Sequence, residues 1–394
     1  MSFQRFSWAW FVLPFALGAI VPLACDDGRV ELVFPPGTSP DGGDSLDSAF
    51  GDGDPNNDGG GDGAIDASAF PVVVSVSPNP RGDGVASSIE MSDARLMTVA
   101  AGVRGVVLRR TPAELTSEAA LVALETEASA YGKTSIGVNF VFSVVDGHAR
   151  GIDSAFAGLP WDDPAVLKAM FGRVDQVMTR IGSTVAYFLV GRDVDVFLAA
   201  HPGERAAFEA FAGQILEYVR THPSAAPNLR VGVGFSFAGV TQPDPSWPKC
   251  LEMSDVAACS YLPGLGENAA GLAGNIATDA DLLVVNALGK PIVVEALGYP
   301  TSEAVGASEA KQALFLETFF AALGPRRTNF VFVNVEGLHD LAPGRCADRA
   351  AFEGQSVDGV WAAYACSLGL FTADGQPKPS WQVLLDGAAA FASP

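Results

Sequence analysis

The sequence predicts an α/β fold, a closed (β/α)8 or TIM barrel that occupies residues 70–394. From residue 70 onward, short β-rich apolar runs alternate with amphipathic helical stretches, a pattern that implies parallel strands joined by right-handed crossovers. Eight such units suit a closed barrel, which leaves no sheet edge exposed. An open doubly wound sheet is the alternative, but no glycine-rich phosphate turn follows the first strand.

The eight predicted strands span residues 71–77, 102–109, 135–142, 185–191, 230–237, 255–261, 290–296 and 329–335. Helices are predicted between most of them, for example at 164–181, 204–221 and 308–323. Within the second of these helices, the apolar residues Phe208, Phe211, Ile215 and Val219 recur with helical spacing.

Residues 1–24 have the composition of a secretory signal peptide, because Arg5 precedes an uncharged apolar run that ends at Ala24. Cys25 follows directly and resembles the lipidated cysteine of bacterial lipoproteins, although Pro22 stands where that pattern prefers leucine. A retained membrane-spanning helix is the alternative. Both interpretations predict an exported, membrane-anchored protein in the periplasm or on the cell surface of a bacterium.

Residues 25–69 are predicted to contain the lipidated Cys25 and a disordered acidic linker. The stretch 51–66 is almost all Gly, Asp, Asn and Pro, so it cannot bury enough apolar surface to offset the entropy lost on ordering. It begins like a calcium loop at Asp54, but Ile65 stands where a bidentate glutamate is needed. We therefore expect no metal site there.

Composition and cysteine spacing exclude several classes of function. The net charge of -21 argues against nucleic acid as a partner, because a phosphate backbone needs a basic surface. The cysteines Cys250, Cys259, Cys346 and Cys366 lack zinc-site spacing and predict two local disulfides in an exported protein, whose pairing the sequence does not fix. No cofactor is expected, and we expect a monomer.

Acidic and aromatic residues follow the later predicted strands, at the end of a barrel where active sites lie. The fourth strand is followed by Arg192, Asp193 and Asp195, and the sixth ends at Tyr261. The seventh contains Glu295 at its end and is followed by Tyr299, and the eighth is followed by Glu336, His339 and Asp340.

With these strand ends, the chain resembles the retaining glycoside hydrolases that have (β/α)8 barrels. That family carries Gly-Asn-Glu after strand four, whose Glu is the acid/base, and Thr-Glu-x-Gly or a variant after strand seven, whose Glu is the nucleophile. The segment 370–381 also resembles the closing segment of the family. The resemblance implies a polysaccharide or another glycan as the partner, bound at the C-terminal mouth of the barrel.

Both catalytic positions depart from the family pattern. Arg192 and Asp193 replace Asn-Glu, and the Asp193 carboxyl is shorter by about 1 to 1.5 Å, a displacement that can cost about a hundredfold in rate. The motif puts Ala296 at the nucleophile position. Glu295, one residue earlier, should then face away from the barrel axis, unless a β-bulge turns it back.

Three functions follow from these substitutions. The first is a carbohydrate-binding barrel that has lost hydrolysis, a pseudoenzyme. The second is an active retaining glycosidase that uses Asp193 with Glu295, or Glu336 with Asp193 or Asp195, because such enzymes need two facing carboxyls about 5–5.5 Å apart. The third is a structural envelope lipoprotein without a cleft.

Further side chains are candidates for sugar binding. They are the polar residues Arg192, Asp195, His339 and Asp340 and the aromatic residues Tyr261, Tyr299 and Trp361. Aromatic rings stack on the apolar faces of sugars. Ordinary structural roles compete with this interpretation, namely ion pairing and helix capping for Asp193 and Asp195, core packing for the rings, and a structural pair for His339 and Asp340.

Overall fold

The computed structural model describes residues 72–82, 88–134, 136–242, 244–265 and 275–392. Its strands are β1 (Val73–Val76), β2 (Gly105–Arg110), β3 (Gly137–Asp146), β4 (Ala149–Arg150), β5 (Val185–Arg192), β6 (Arg230–Ser236), β7 (Ala257–Tyr261), β8 (Ile292–Leu297) and β9 (Phe330–Val335). The signal peptide, Cys25 and the acidic linker lie outside the described residues.

Eight of these strands form a closed parallel barrel. Each pairs in parallel with the next, and β1 pairs with both β2 and β9, which closes the ring. The two-residue β4 is an antiparallel addition to β3. Every predicted strand is present, and the fourth, seventh and eighth of them correspond to β5, β8 and β9.

Helices surround the barrel. They are α1 (Ser88–Ala100), α2 (Glu118–Gly132), α3 (Pro164–Ile181), α4 (Val194–Ala200), α5 (Arg205–Arg220), α6 (Phe237–Thr241), α7 (Trp247–Met253), α8 (Ile276–Asn286), α9 (Glu309–Leu323), α10 (Pro343–Phe352), α11 (Val360–Ala365) and α12 (Pro379–Ala392). No helix in the described ranges is both long and apolar enough to cross a bilayer.

Local sequence accounts for two of the longer helices. Asp163 caps α3, since its side chain accepts a hydrogen bond from Ala165 N at 2.8 Å and Pro164 is the first helical residue. In α5 the residues with helical apolar spacing are all buried against the barrel. The predicted amphipathic pattern of α5 is confirmed.

The barrel interior is apolar in the middle and polar at its C-terminal mouth. Val107, Val141, Leu189, Ala258, Val293 and Phe332 pack together from six strands. The residue two positions further along β2 is Arg109, and along β8 it is Glu295. Because side chains two apart on a strand share a face, these charged residues lie inside the mouth.

One predicted disulfide is present and the other is not. Cys346 and Cys366 are bonded and join α10 to the end of α11. Cys250 in α7 and Cys259 in β7 are free thiols. Both are buried in the apolar layer between barrel and helices, where each packs as a small hydrophobic residue. The prediction that Cys250 and Cys259 take part in disulfides is wrong.

Candidate active site at the barrel mouth

Charged residues from several strands converge at the C-terminal mouth. They are Arg109 at the end of β2, Asp146 at the end of β3, Arg192 and Asp193 at and after the end of β5, Glu295 in β8 and Glu336 after β9. The two arginines lie among four carboxyl groups, and each arginine is within ion-pair distance of at least two of them.

Arg109 binds two carboxylates. Its Nη1 and Nη2 donate to Glu336 Oε1 and Oε2 at 3.0 and 3.2 Å, and its Nη2 also donates to Glu295 Oε2 at 3.3 Å. A bidentate arginine–carboxylate pair is among the stronger polar contacts in proteins. This contact fixes Glu336 on the mouth side of β9.

Arg192 lies between the carboxylates of Asp193 and Glu295. Its Nε is 3.4 Å from Asp193 Oδ2 and 3.4 Å from Glu295 Oε1. Neither contact has the geometry of a hydrogen bond, because Nε and Oε1 both lack a hydrogen-bond partner among the described residues. Nη1 of Arg192 donates to Glu336 Oε1 at 3.3 Å. The guanidinium therefore fills the space between Asp193 and Glu295.

Glu295 faces the barrel interior, so the expectation that it faces the helices is wrong. Its ion pairs reach Arg109 and Arg192, on strands across the mouth. The register of β8 is irregular on both sides, with shifts between Cys259 and Ser260 and between Val294 and Leu297. Val293 packs inside the barrel. Glu295 lies two residues further along β8 and therefore points to the same side, whatever residue the motif aligns with the nucleophile.

The two glutamates of the mouth have opposite electrostatic environments. Burial raises the pKa of Glu295 to about 7, against the effect of Arg192 and Arg109. Burial would also raise the pKa of Glu336, but the charges of Arg109 and Arg192 outweigh it and lower that pKa to about 2. At neutral pH the ionised form of Glu295 is thus disfavoured, whereas the neighbouring Glu336 is ionised.

Asp193 has an unusual backbone that directs it into the mouth. It is in the left-handed region at φ 49°, directly before α4, and its side chain makes no capping hydrogen bond. Instead, Ser260 Oγ donates a hydrogen bond to Asp193 Oδ1. A non-glycine residue with positive φ is strained, and such strain is concentrated at functional sites. The helix-capping interpretation of Asp193 is wrong.

Asp195 is hydrogen-bonded to the end of β6. Its Oδ1 and Oδ2 accept hydrogen bonds from Ser236 N and Ser236 Oγ, both at 2.6 Å. Burial and the nearby charge of Asp193 raise the pKa of Asp195 to about 6 despite these bonds. Asp195 therefore supports the end of β6, and it is absent from the lining of the cleft described below.

A second ion-pair group closes one side of the mouth. Arg349 in α10 donates to both oxygens of Asp146 at 3.1 Å and to Glu353 Oε1 at 2.6 Å. Burial opposes ionisation of Asp146, but Arg349 and Arg192 lower its pKa to about 2. Glu353 in turn accepts from His148 N at 3.3 Å, in the turn between β3 and β4. These contacts join α10 to the barrel.

A cleft of about 670 Å³ lies at the mouth beside these charged residues. Its lining includes Arg109, His148, Arg192, Asp193, Gln242, Ser260, Glu336, Arg349, Glu353 and Trp361. Glu295 is fully buried and is not part of the lining. Within the described residues, no group of three or more His, Cys, Asp and Glu side chains could hold a metal ion.

Several predicted sugar-binding residues are core residues instead. Tyr261 and Tyr299 are 1% exposed and stack on Phe315 of α9, with ring centroids 5.9 and 5.1 Å apart. Their rings point from the strand ends into the helix layer, where Phe315 lies. The prediction that they line a sugar subsite is corrected.

His339 and Asp340 also serve the structure. His339 Nδ1 lies 2.7 Å from Asn79 O, and its ring packs on Phe371. Asp340 Oδ1 accepts from Lys378 Nζ at 2.7 Å. These contacts connect the loop after β9 to the N- and C-terminal parts of the barrel and correct the assignment of both residues to substrate binding.

Sequence reasoning missed part of the mouth. Arg109, Asp146, Ser236, Arg349 and Glu353 were not singled out. Arg109 could have been found, because two arginines end an otherwise apolar run. Asp146 lies four residues beyond the predicted end of its strand, and Arg349 is on a helix after the last strand, so neither carries a local signal.

No protein-family model matches this chain, and no curated protein matches it. Solved structures do match. The GH5_18 glycoside hydrolase of Bifidobacterium longum subsp. longum is 15% identical with a TM-score of 0.64, over 82% of this chain and 80% of that one. The GH5_18 protein of Streptomyces cattleya, in complex with GlcNAc, is 16% identical with a TM-score of 0.64, over 82% and 81%.

An exo-β-1,4-mannosidase from an Opitutaceae bacterium is 14% identical with a TM-score of 0.59, over 81% of this chain and 59% of that one. At these identities the likeness establishes the fold. The protein is a glycoside-hydrolase-like (β/α)8 barrel with a charged cleft at its C-terminal mouth.

Proposed function

We propose that this protein binds a glycan in the mouth cleft and does not hydrolyse it. The observation that carries the proposal is the position of Arg192 Nε, 3.4 Å from both Asp193 and Glu295. Retaining hydrolysis needs a glycosidic bond between two facing carboxyls. Here that space holds a guanidinium.

The state of Glu295 supports the same conclusion. A nucleophile must be ionised and must reach the sugar carbon, but Glu295 is 0% exposed and its pKa is raised to about 7 by burial. Glu336 is ionised and does line the cleft, but both of its oxygens are bound by Arg109. The remaining cleft, about 670 Å³, has the size of a small-ligand site.

The structural neighbours favour a β-linked ligand. GH5_18 proteins of Bifidobacterium longum and Streptomyces cattleya have been solved in complex with Manβ1-4GlcNAc. We propose a β-linked glycan of this kind as the ligand of the cleft. The proposal rests on the shared barrel and on the location of the cleft at the C-terminal end of the strands, where the active sites of such barrels lie.

An active retaining glycosidase is the second candidate, and two observations favour it. Glu295 faces into the mouth opposite Asp193, as a catalytic pair would. The pKa of Glu295 is raised and the pKa of Glu336 is lowered, and a difference of this kind is typical of an acid and a base in one active site. This candidate requires Arg192 to leave the space that it occupies.

A screen of chromogenic β-glycosides, paired with calorimetric titration of Manβ1-4GlcNAc, tests the proposal. We expect heat of binding and no glycoside cleavage. Cleavage that is lost in both Asp193→Ala and Glu295→Ala would establish the enzyme instead. If the protein shows neither binding nor cleavage, a structural envelope lipoprotein is favoured.

We also propose export and anchoring through lipid on Cys25. The Cys346–Cys366 disulfide supports an oxidising compartment. The Cys25→Ser variant should leave the membrane fraction and appear in the soluble fraction. Retention of this variant in the membrane would favour an uncleaved N-terminal helix.

A further inference from the structure

Trp361 projects from α11 into the lining of the mouth cleft and is half-buried there. We infer that Trp361 is the platform on which the bound sugar stacks, and that the sugar is uncharged. This inference deepens the proposed function and rests on it, because it concerns the ligand of the same cleft.

Trp361 differs from the other tryptophans of the described chain. Trp161 packs in the core on Phe208 at 5.4 Å, Trp247 Nε1 donates to Asn286 O at 3.2 Å, and Trp381 packs on Phe371 at 4.9 Å. Within the same described ranges, Trp361 has no ring partner, and its indole N–H donates to no protein group.

The other large ring of the cleft is already engaged. Phe237 lies edge-on to Tyr261, with ring centroids 5.0 Å apart. Trp361 therefore offers both an apolar face for the C–H groups of a pyranose and an N–H for one of its hydroxyls. That combination of an apolar face and a polar edge suits a sugar better than a purely apolar ligand.

The helical hairpin of α10 and α11 holds Trp361 in place. The Cys346–Cys366 bond joins its two helices. Arg349 connects it to Asp146 on β3, and Tyr364 Oη donates to Pro263 O at 2.8 Å after β7. A helix held in place before binding loses little freedom on contact with a ligand, which favours affinity.

Among the described residues that line the cleft, no arginine is left unpaired to bind an acidic sugar. Arg109, Arg192 and Arg349 line it, and each is already paired with buried or half-buried carboxylates. Glu336 and Glu353 also line it and pair with Arg109 and Arg349, so a uronate carboxylate would have to compete with them for these arginines. A neutral hexose or N-acetylhexosamine meets no such penalty.

The test is a calorimetric and fluorescence titration of the full chain with Manβ1-4GlcNAc. We expect Trp361→Ala to weaken binding about tenfold or more and to remove the ligand-induced change in tryptophan emission. Trp361→Phe, which keeps a stacking face, should lose less. Val360→Ala is the matched control, because Val360 is the exposed neighbour on the same helix and does not line the cleft.

The outcomes separate this inference from the proposed function. If the wild type binds and Trp361→Ala binds equally well with the same emission change, the platform is wrong but the glycan-binding barrel stands. If the folded wild type binds none of the glycans, the proposed function fails. A disaccharide ending in glucuronic acid should bind at least about tenfold more weakly than its neutral counterpart; equal binding would overturn the preference for an uncharged sugar.

Discussion

Arg192 Nε and Glu295 Oε1 lie 3.4 Å apart in the barrel mouth, and neither atom has a hydrogen-bond partner among the described residues. The pair is held by charge rather than by hydrogen-bond geometry. Buried charges in this arrangement are costly to separate, because removal of one partner leaves the other uncompensated in a medium of low polarity. Arg192 therefore both fills the space between Asp193 and Glu295 and stabilises these carboxylates.

The variant Arg192→Gln should be less stable than the wild type by about 3–5 kcal/mol at pH 8, because Glu295 and Glu336 each lose a partner. The loss should be smaller at pH 5, where Glu295 takes up a proton. Urea unfolding at the two pH values measures both effects. Arg180→Gln is the control, since Arg180 pairs with exposed Glu118 and Glu125 at the surface. A loss for Arg192→Gln no larger than for this control would contradict the role of Arg192.

The variant Glu295→Gln should gain stability over the wild type as pH rises. The pKa of Glu295 in the folded protein is about 7, above its ordinary value of 4.5. The unfolded chain therefore loses its proton first, and the folded wild type loses stability between about pH 4.5 and 7. The advantage of Glu295→Gln should grow by on the order of 3 kcal/mol over that range and stay constant above it. A difference that does not vary with pH would mean that Glu295 is ionised throughout.

The variant Glu336→Gln should show the opposite dependence. The folded pKa of Glu336 is about 2, below its ordinary value of 4.5. Its ionised form therefore stabilises the protein above about pH 4.5, and that stability is lost as pH falls toward 2. We expect Glu336→Gln to be less stable by on the order of 3 kcal/mol at pH 7, with the difference shrinking in acid. Unfolding curves from pH 7 to 3 measure this, and a constant difference would rule out the ion pair with Arg109.

The thiols offer an independent check of the fold. Cys250 and Cys259 should react with a maleimide only after unfolding, because both are buried and burial raises the pKa of Cys250 to about 12. Peptide mapping of the oxidised protein should recover Cys346 linked to Cys366. A linked Cys250–Cys259 peptide would contradict the structure.

Replacing both Cys346 and Cys366 by Ala should lower the free energy of unfolding by about 3 kcal/mol, because the bond closes a loop 20 residues long.

The barrel could be predicted from sequence because each strand carries a local signal. Its strands are apolar runs bounded by polar turns, and helices such as α3 begin at a recognisable cap. These local signals could not predict which way the Glu295 side chain points. The strand Ile292–Leu297 is buried on both faces, so no alternation of polar and apolar residues marks the face toward the axis. Only the register with β7 and β9 sets it.

The location of the site was predictable, but its partners were only partly so. Their positions at strand ends predicted Arg192, Asp193 and Glu336 as site residues, and all three line the cleft. The same rule wrongly included Tyr261 and Tyr299, because a residue at a strand end can face either the mouth or the helices. The contact between Arg349 and Asp146 spans 203 positions of sequence, and no local pattern predicts such a pair.

The most direct test follows the anomeric proton signals of Manβ1-4GlcNAc by NMR in the presence of the wild-type protein. Binding broadens these signals, and hydrolysis replaces them with those of mannose and GlcNAc. With Arg192 between Asp193 and Glu295, we predict broadened signals that persist unchanged over many hours. Conversion of the disaccharide to its two sugars by the wild type, with no conversion by Glu295→Ala, would contradict the central claim.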